Sequence, residues 1–427
     1  MATPETTPQP PVRMFRHHSM LIGLKRSGFH SHLRKSAARG KFPGWQIFLP
    51  QNLLPWLWNC TKYSFRRKHP FLAYPAHGDQ GLYPLVSADG GPTIRLSIAG
   101  DWGTGTEEAY KVATLMNDSG PDYTVHLGDI YYVGDQSEVS QNCLGKATDG
   151  YEGVKWPKGK VGSFSMNGNH EMYANGDGYF DDLLPTLGIP GSRDRTQLTS
   201  FFCLENDVWR IIGLDTGYNS IGLPILGEIP FINQIPGIRA TCKLEASMMN
   251  WLRTVVKPQE RPRTTILLTH HQYFSAFEDV FPKPAKQLSE FFSGQELIWI
   301  WGHEHRFAIY EKYTPGAFSA YGRLVGNGAL PVEIMTPKKP DEKALQYYDI
   351  RPYNAYKGVT VGYNGFVNLE INGNSARLDY RDVNNKKLVV EQFTVDGGKL
   401  SQRFEFVDES MTRGSAAPPE LTAAAAH

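Results

Sequence analysis

Five apolar runs in this chain each end in a side chain able to bind a metal ion, and that feature constrains the fold more than any other. Asp101 follows TIRLSIAG (93–100), Asp129 follows DYTVHLG, Asn169 follows SFSMNG, His270 closes TTILLT, and His303 and His305 follow ELIWIWG. Runs of this length, rich in Ile, Leu, Val and Trp and interrupted by helix-like segments, read as buried strands of an α/β sheet. Open α/β sheets bind ligands just beyond the carboxyl ends of their strands, so residues far apart in sequence meet there. Two carboxylates, a carboxamide and three imidazoles do not crowd into a desolvated site without a compensating cation, because unpaired buried carboxylates are costly. The pattern points to a metal centre.

The segments between these runs define the rest of the domain. TEEAYKVATLMNDSG (106–120) predicts a helix, with Thr104 or Thr106 as its cap, acids in its first turn and Gly120 past its end; LEASMMNWLRTVV (244–256) has helical spacing. Further strands are expected at 163–167, 199–205, 209–215 and 322–327, followed by three antiparallel strands, FVNLEING, SARLDYRD and KLVVEQFTV, between Phe366 and Val395. At 427 residues and 41% apolar the chain can bury a large core, and α/β units followed by a β meander suggest two stacked sheets with helices outside. The expected domain runs from 93 to 407, with a basic, aromatic-rich extension at 1–92 and a disordered tail at 408–427. His126, inside a strand, reads as a core histidine. GRLVGNGALP (322–331) reads either as a pocket rim or as a turn needing positive φ.

Residues 1–70 hold twelve Lys and Arg and a single acid, Glu5. IFLPQNLLPWLWN (47–59), followed by Arg66, Arg67 and Lys68, suits either an anionic membrane surface reached through residues 1–90 or an irregular arm packed on the domain. No apolar run reaches the 18 residues of a spanning helix, and the start lacks the apolar stretch of a signal peptide, though its Arg-rich, acid-poor composition fits organelle targeting. Basic and aromatic clusters of this kind are non-specific signals, so no specific nucleic acid is expected as a partner. Cys60, Cys143, Cys203 and Cys242 show no CxxC spacing and read as buried or free thiols.

GDWG (100–103), GDIYY (128–132), GNHE (168–171), LLTHH (267–271) and GHEH (302–305) resemble, in order and in strand context, the five motifs of the calcineurin-like metallophosphoesterases, over roughly Thr93 to Val395. The resemblance implies an α/β fold of the four-layer αββα sandwich type. Most relatives open with Asp-x-His, where this chain has Asp101-Trp102-Gly103. Tyr132, three residues after Asp129, stands where purple acid phosphatases carry a tyrosinate ligand, and a phenolate suits a high-charge ion.

The resemblance therefore implies Fe(III) with a divalent Fe, Zn or Mn ion. Asp101, Tyr132 and His305 would hold the ferric ion, Asp129 would bridge, and Asn169, His270 and His303 would hold the divalent ion. Tyr131 is assigned to packing, with an exchange of roles between the two tyrosines left open; Gln272, where relatives have proline, loosens the choice of His270 over His271. His170 would serve the phosphoryl group or the leaving group as acid, or else orient a ligand, and Glu171 would hold backbone. Glu278 and Asp279 fall where purple acid phosphatases often carry a histidine, and acids there would repel a dianionic phosphate. Nothing in residues 1–92 resembles the fibronectin-like domain of the large plant-type enzymes.

The implied reaction is hydrolysis of a phosphate ester by a water polarised to hydroxide between two metals, with a purple acid phosphatase-like phosphomonoesterase favoured. A phosphodiesterase of the same fold and a non-catalytic binding module are the alternatives. Asp215-Thr216-Gly217 matches the local pattern of an aspartic protease, but that chemistry needs two such aspartates and only one copy exists.

Overall fold

The computed structural model describes residues 66–148, 152–188, 197–221, 240–314, 316–338, 344–356 and 359–416. The basic stretch at 1–65, with Cys60 and the amphipathic 47–59 segment, lies outside the described residues.

Eighteen strands occur among the described residues. In chain order they are β1 (Leu82–Pro84), β2 (Thr93–Ala99), β3 (Tyr123–His126), β4 (Gly162–Ser165), β5 (Phe202–Glu205) and β6 (Trp209–Leu214). Next come β7 (Thr264–Thr269), β8 (Glu296–Trp301), β9 (Phe307–Tyr313), β10 (Ser319–Val325), β11 (Leu345–Tyr348) and β12 (Asn354–Tyr356). The last are β13 (Val359–Val361), β14 (Gly365–Asn372), β15 (Ser375–Asp382), β16 (Lys387–Asp396), β17 (Lys399–Val407) and β18 (Thr412–Arg413). The helices used below are α1 (Glu107–Asp118), α2 (Gln136–Asn142), α3 (Asn169–Met172), α4 (Ala246–Trp251) and α5 (Pro282–Phe292).

The strands form a nine-stranded sheet, β1-β5-β6-β7-β8-β10-β9-β11-β18, a seven-stranded sheet, β17-β16-β15-β14-β2-β3-β4, and the separate ribbon β12-β13. Alternation along each strand divides the apolar residues between two faces. Ile266 and Leu268 of β7 join Ile98, Val125, Leu369 and Val389 of the other sheet in the central core, whereas Leu267 faces Met248, Trp251 and Leu288 of α4 and α5. Ala109, Val112 and Met116 of α1 cover the outer side of the smaller sheet. The stacking is helix, sheet, sheet, helix, as the family resemblance implied.

Thr106 is the cap of α1, its side chain accepting from the Ala109 N–H. The 244–256 helix divides into α4 and a π-helical turn over Leu252–Val256. The meander gains a fourth strand, β17, paired with β16. The expected boundaries also move. β1 pairs with β5, and ahead of it the Tyr74 hydroxyl donates to the Phe201 carbonyl at 2.6 Å, so packing onto the domain begins well before residue 93. Residues 412–413 pair with β11, so the stretch from 408 to 416 is part of the fold rather than a disordered tail. Cys143, Cys203 and Cys242 are free and buried.

A buried ion pair crosses the core between the sheets. Arg323 on β10 meets Glu391 on β16 through Nε at 2.5 Å and Nη2 at 2.6 Å, and Tyr380 and Gln402 donate to the same carboxylate at 2.7 Å each. Breaking such a pair leaves a charge without compensation in low dielectric, so Arg323→Met is expected to cost about 3–5 kcal/mol. Urea unfolding followed by tryptophan fluorescence measures this, and the double change with Glu391→Leu should recover much of the loss.

Candidate metal centre

Parallel pairing aligns the strand ends that carry the motifs. Ala99, His126 and Ser165 are register partners across β2, β3 and β4, and Thr269, Trp301 and Leu324 across β7, β8 and β10. Both sheets therefore deliver their carboxyl ends to one edge. Hydrogen bonds to backbone carbonyls join them there: the Gly100 N–H donates to Val325 at 3.2 Å, and the His270 ring Nδ1–H donates to Leu127 at 2.9 Å. With Nδ1 committed, His270 turns Nε2 toward the site.

Asp129 lies at the middle of the cluster. Its Oδ1 accepts from the His170 backbone N–H at 3.0 Å, and its Oδ2 lies 3.1 Å from the Tyr131 hydroxyl and 3.3 Å from His270 Nε2. On one side the Tyr131 hydroxyl donates to Asp101 Oδ1 at 2.8 Å and lies 3.2 Å from His305 Nε2. On the other, Asn169 Oδ1 is 3.1 Å from His270 Nε2 and 2.9 Å from His303 Nδ1. Asp101, Asp129 and His303 all adopt positive φ, at 58°, 73° and 68°. Gly168 permits the closest approach, since a Cβ there would lie 2.1 Å from Asp129 Oδ1.

The tyrosine that enters this cluster is Tyr131. Tyr132, expected to face the aspartates, is half-buried beside Tyr131 and Leu330, and its backbone carbonyl accepts from His170 Nδ1 at 2.6 Å. His271 also belongs to the neighbourhood: His270, His271 and His303 each present a ring nitrogen within 4.8 Å of the others, as Asp101, Asp129 and His270 do with their ligand atoms. The His271 backbone N–H donates to Thr216 Oγ1 at 3.0 Å, and that hydroxyl lies 3.1 Å from the ring Nδ1.

Several neighbouring expectations resolve in the same geometry. Glu171 Oε2 accepts backbone N–H groups of Asp129 and Gly168 at 3.2 and 3.0 Å, fixing the two loops together. Glu278 does not present a bare carboxylate to substrate, because Arg306 meets it at 2.9 Å and Glu333 at 3.0 Å. In GRLVGNGALP neither Gly326 nor Gly328 has positive φ; the loop instead donates the N–H groups of Ala329 and Leu330 to the Asp101 carbonyl at 3.1 Å. His126 is a core histidine between Trp102 and Trp156. Asp215 closes its turn by accepting the Tyr218 N–H at 2.7 Å.

Electrostatics show the strain of assembling these groups. Burial raises Asp101 to about 8, an effect that His270 opposes and the Asp129 charge reinforces. Burial disfavours charge on His270, yet Asp129, Asp101 and Glu171 outweigh it and raise the ring to about 9. His303 falls to about 3 and His305 well below its ordinary range, again through burial first. Burial likewise lowers His170, with Asp129 pulling it back. The cluster thus gathers hard oxygen donors and imidazoles around buried carboxylates, and that donor set fits metal ions of +2 or +3 charge.

Solved structures with similar folds are distant. They include PhoD, at 12% identity over 76% of this chain and 73% of that one, with a TM-score of 0.46. GAP50, the anchor in the inner membrane complex of Plasmodium, matches at 12% over 72% and 91%, with 0.39. A dimetal phosphatase from Danio rerio matches at 9% over 69% and 97%, with 0.38. No curated protein matches at a significant level. The model of the calcineurin-like phosphoesterase family, however, matches residues 94–307, half of the sequence and the stretch that carries all five motifs, and the chain belongs to that family.

Proposed function

We propose that this protein is a binuclear metallohydrolase that cleaves phosphate monoesters, with Asp101, Tyr131 and His305 holding one ion, Asn169, His270 and His303 the other, and Asp129 shared. The observation that carries the reading is the position of Asp129, whose carboxylate touches both halves of the donor set. Two metal ions, when bound, would activate water and neutralise the phosphoryl oxygens. A ferric ion on the Tyr131 side is the natural partner of a phenolate, with a divalent Fe, Zn or Mn ion on the other.

The protein's own residues supply the rest. The His170 Nδ1–H donates to the Tyr132 carbonyl, so Nε2 is the nitrogen left facing the site, 3.8 Å from Asp129 Oδ2. In its protonated form it gives its proton to the departing alkoxide. Arg306, shared between Glu278 and Glu333, offsets part of the repulsion that a free carboxylate would exert on a dianionic ester.

Metal analysis of natively purified protein, together with turnover of p-nitrophenyl phosphate, tests the assignment. About two ions per chain and hydrolysis are expected. His170→Asn is expected to lower kcat by about 10²- to 10⁴-fold, more for poor leaving groups. Metal-free protein without turnover would favour a binding module, and faster cleavage of bis(p-nitrophenyl) phosphate would favour a diesterase. Among the described residues no helix is long and apolar enough to cross a membrane. We further propose that the basic residues before 90 contact anionic lipid, which retention on anionic vesicles would test.

A further inference from the structure

Helix α2 begins with Asp135-Gln136-Ser137-Glu138, in which Asp135 caps by accepting the Glu138 N–H at 2.9 Å. In a capping box the glutamate at this position reaches back to the N-cap backbone N–H. Glu138 reaches further. Its Oε1 accepts from the Tyr132 N–H at 2.6 Å, and its Oε2 accepts from Val133 and Gly134 at 2.8 and 2.9 Å. One carboxylate therefore gathers three consecutive backbone donors of the turn that follows Asp129, and such charge-assisted bonds are short and strong. From the same helix, Asn142 Nδ2 holds the Tyr131 carbonyl at 2.8 Å.

The Tyr132 carbonyl that receives His170 Nδ1 shares its peptide unit with the Val133 N–H, which Glu138 Oε2 holds at 2.8 Å. We propose that Glu138 is a positioning residue for His170: by fixing Tyr132 it sets which ring nitrogen faces the site and at what angle. This rests on the assignment of His170 to the leaving group. The three donors that the Glu138 carboxylate gathers are backbone N–H groups, not side chains of the metal site. Its loss leaves three N–H groups without their acceptor and frees the Tyr132 carbonyl to turn, and a proton donor misplaced by about 1 Å can cost on the order of 100-fold.

A general acid matters most when the leaving group is poor, whereas damage to the metal site slows all esters alike. The test therefore compares Glu138→Gln and Glu138→Ala in the full chain on an alkyl phosphate and on p-nitrophenyl phosphate, with metal content measured for each. The expected result is a fall in kcat on the alkyl ester at least about tenfold larger than on the aryl ester. KM should stay within about threefold and metal content should not change, matching the selectivity pattern of His170→Asn. Equal losses on both esters, or none, overturn the proposal. A crystal structure of Glu138→Ala gives a second readout, in which His170 Nδ1 is expected to have left the Tyr132 carbonyl; an unmoved ring overturns the proposal. If the wild type cleaves neither ester, the hydrolase reading fails, and the ring position in that crystal structure alone decides the positioning claim.

Discussion

Replacing Asp129 with asparagine is expected to remove both metal ions and to lower kcat/KM by about 10³-fold or more, because a single carboxylate is shared by the two halves of the donor set. The substitution keeps shape and volume. One oxygen becomes an amide whose hydrogens would point at the Tyr131 hydroxyl and His270 Nε2, now 3.1 and 3.3 Å away, or at the His170 N–H, now 3.0 Å away. The second orientation sets donor against donor, and in both the charge that would hold two cations in proximity disappears. His305→Ala is the informative contrast. His305 lies 3.6 Å from Asp101 Oδ1 on one side of the cluster, so its loss should release one ion and leave the other. Metal analysis by plasma emission after gel filtration distinguishes two, one and no ions per chain. Full turnover in the Asp129→Asn protein would remove the binuclear assignment, and an unchanged melting temperature would show that the loss is local.

Much of this centre was legible in the sequence because the chemistry coincides with a change of texture. Asp101, Asn169, His270 and His303 each follow a strand-like segment, and parallel pairing brings such ends together whatever the order of the strands. What escaped were features without that contrast. β1 is Leu-Tyr-Pro, too short for any period to register, and β17 alternates within a charged stretch, KLSQRFEFV, whose outward residues conceal its inward Leu400 and Phe404. Glu278 reads as a bare acid because its partner Arg306 lies 28 residues away. The role of Glu138 had a local signature, Asp-x-x-Glu, but one that ordinarily means only a helix start.

The two tyrosines of GDIYY are the sharpest case, and exchanging each for phenylalanine is expected to give opposite results. Residues at +2 and +3 from Asp129 differ only in which way the turn throws the ring, and that direction depends on Asp129 at φ 73° and on the backbone held by Glu138 and Asn142. The Tyr131 phenol is buried between Asp101 and Asp129, and burial followed by those two charges keeps its proton on far above the ordinary range. Only a strongly charged cation in contact with the oxygen reverses that preference, as it does for other metal-bound acids. A visible absorption band in the iron-loaded protein would therefore report a Tyr131 phenolate. Tyr131→Phe should abolish the band and weaken iron retention by at least about tenfold, whereas Tyr132→Phe, whose backbone carbonyl for His170 is untouched, should keep both. A band that survives Tyr131→Phe and vanishes with Tyr132→Phe would restore the ligand set implied by the family resemblance. A colourless protein with two divalent ions would retain the hydrolase and discard the iron.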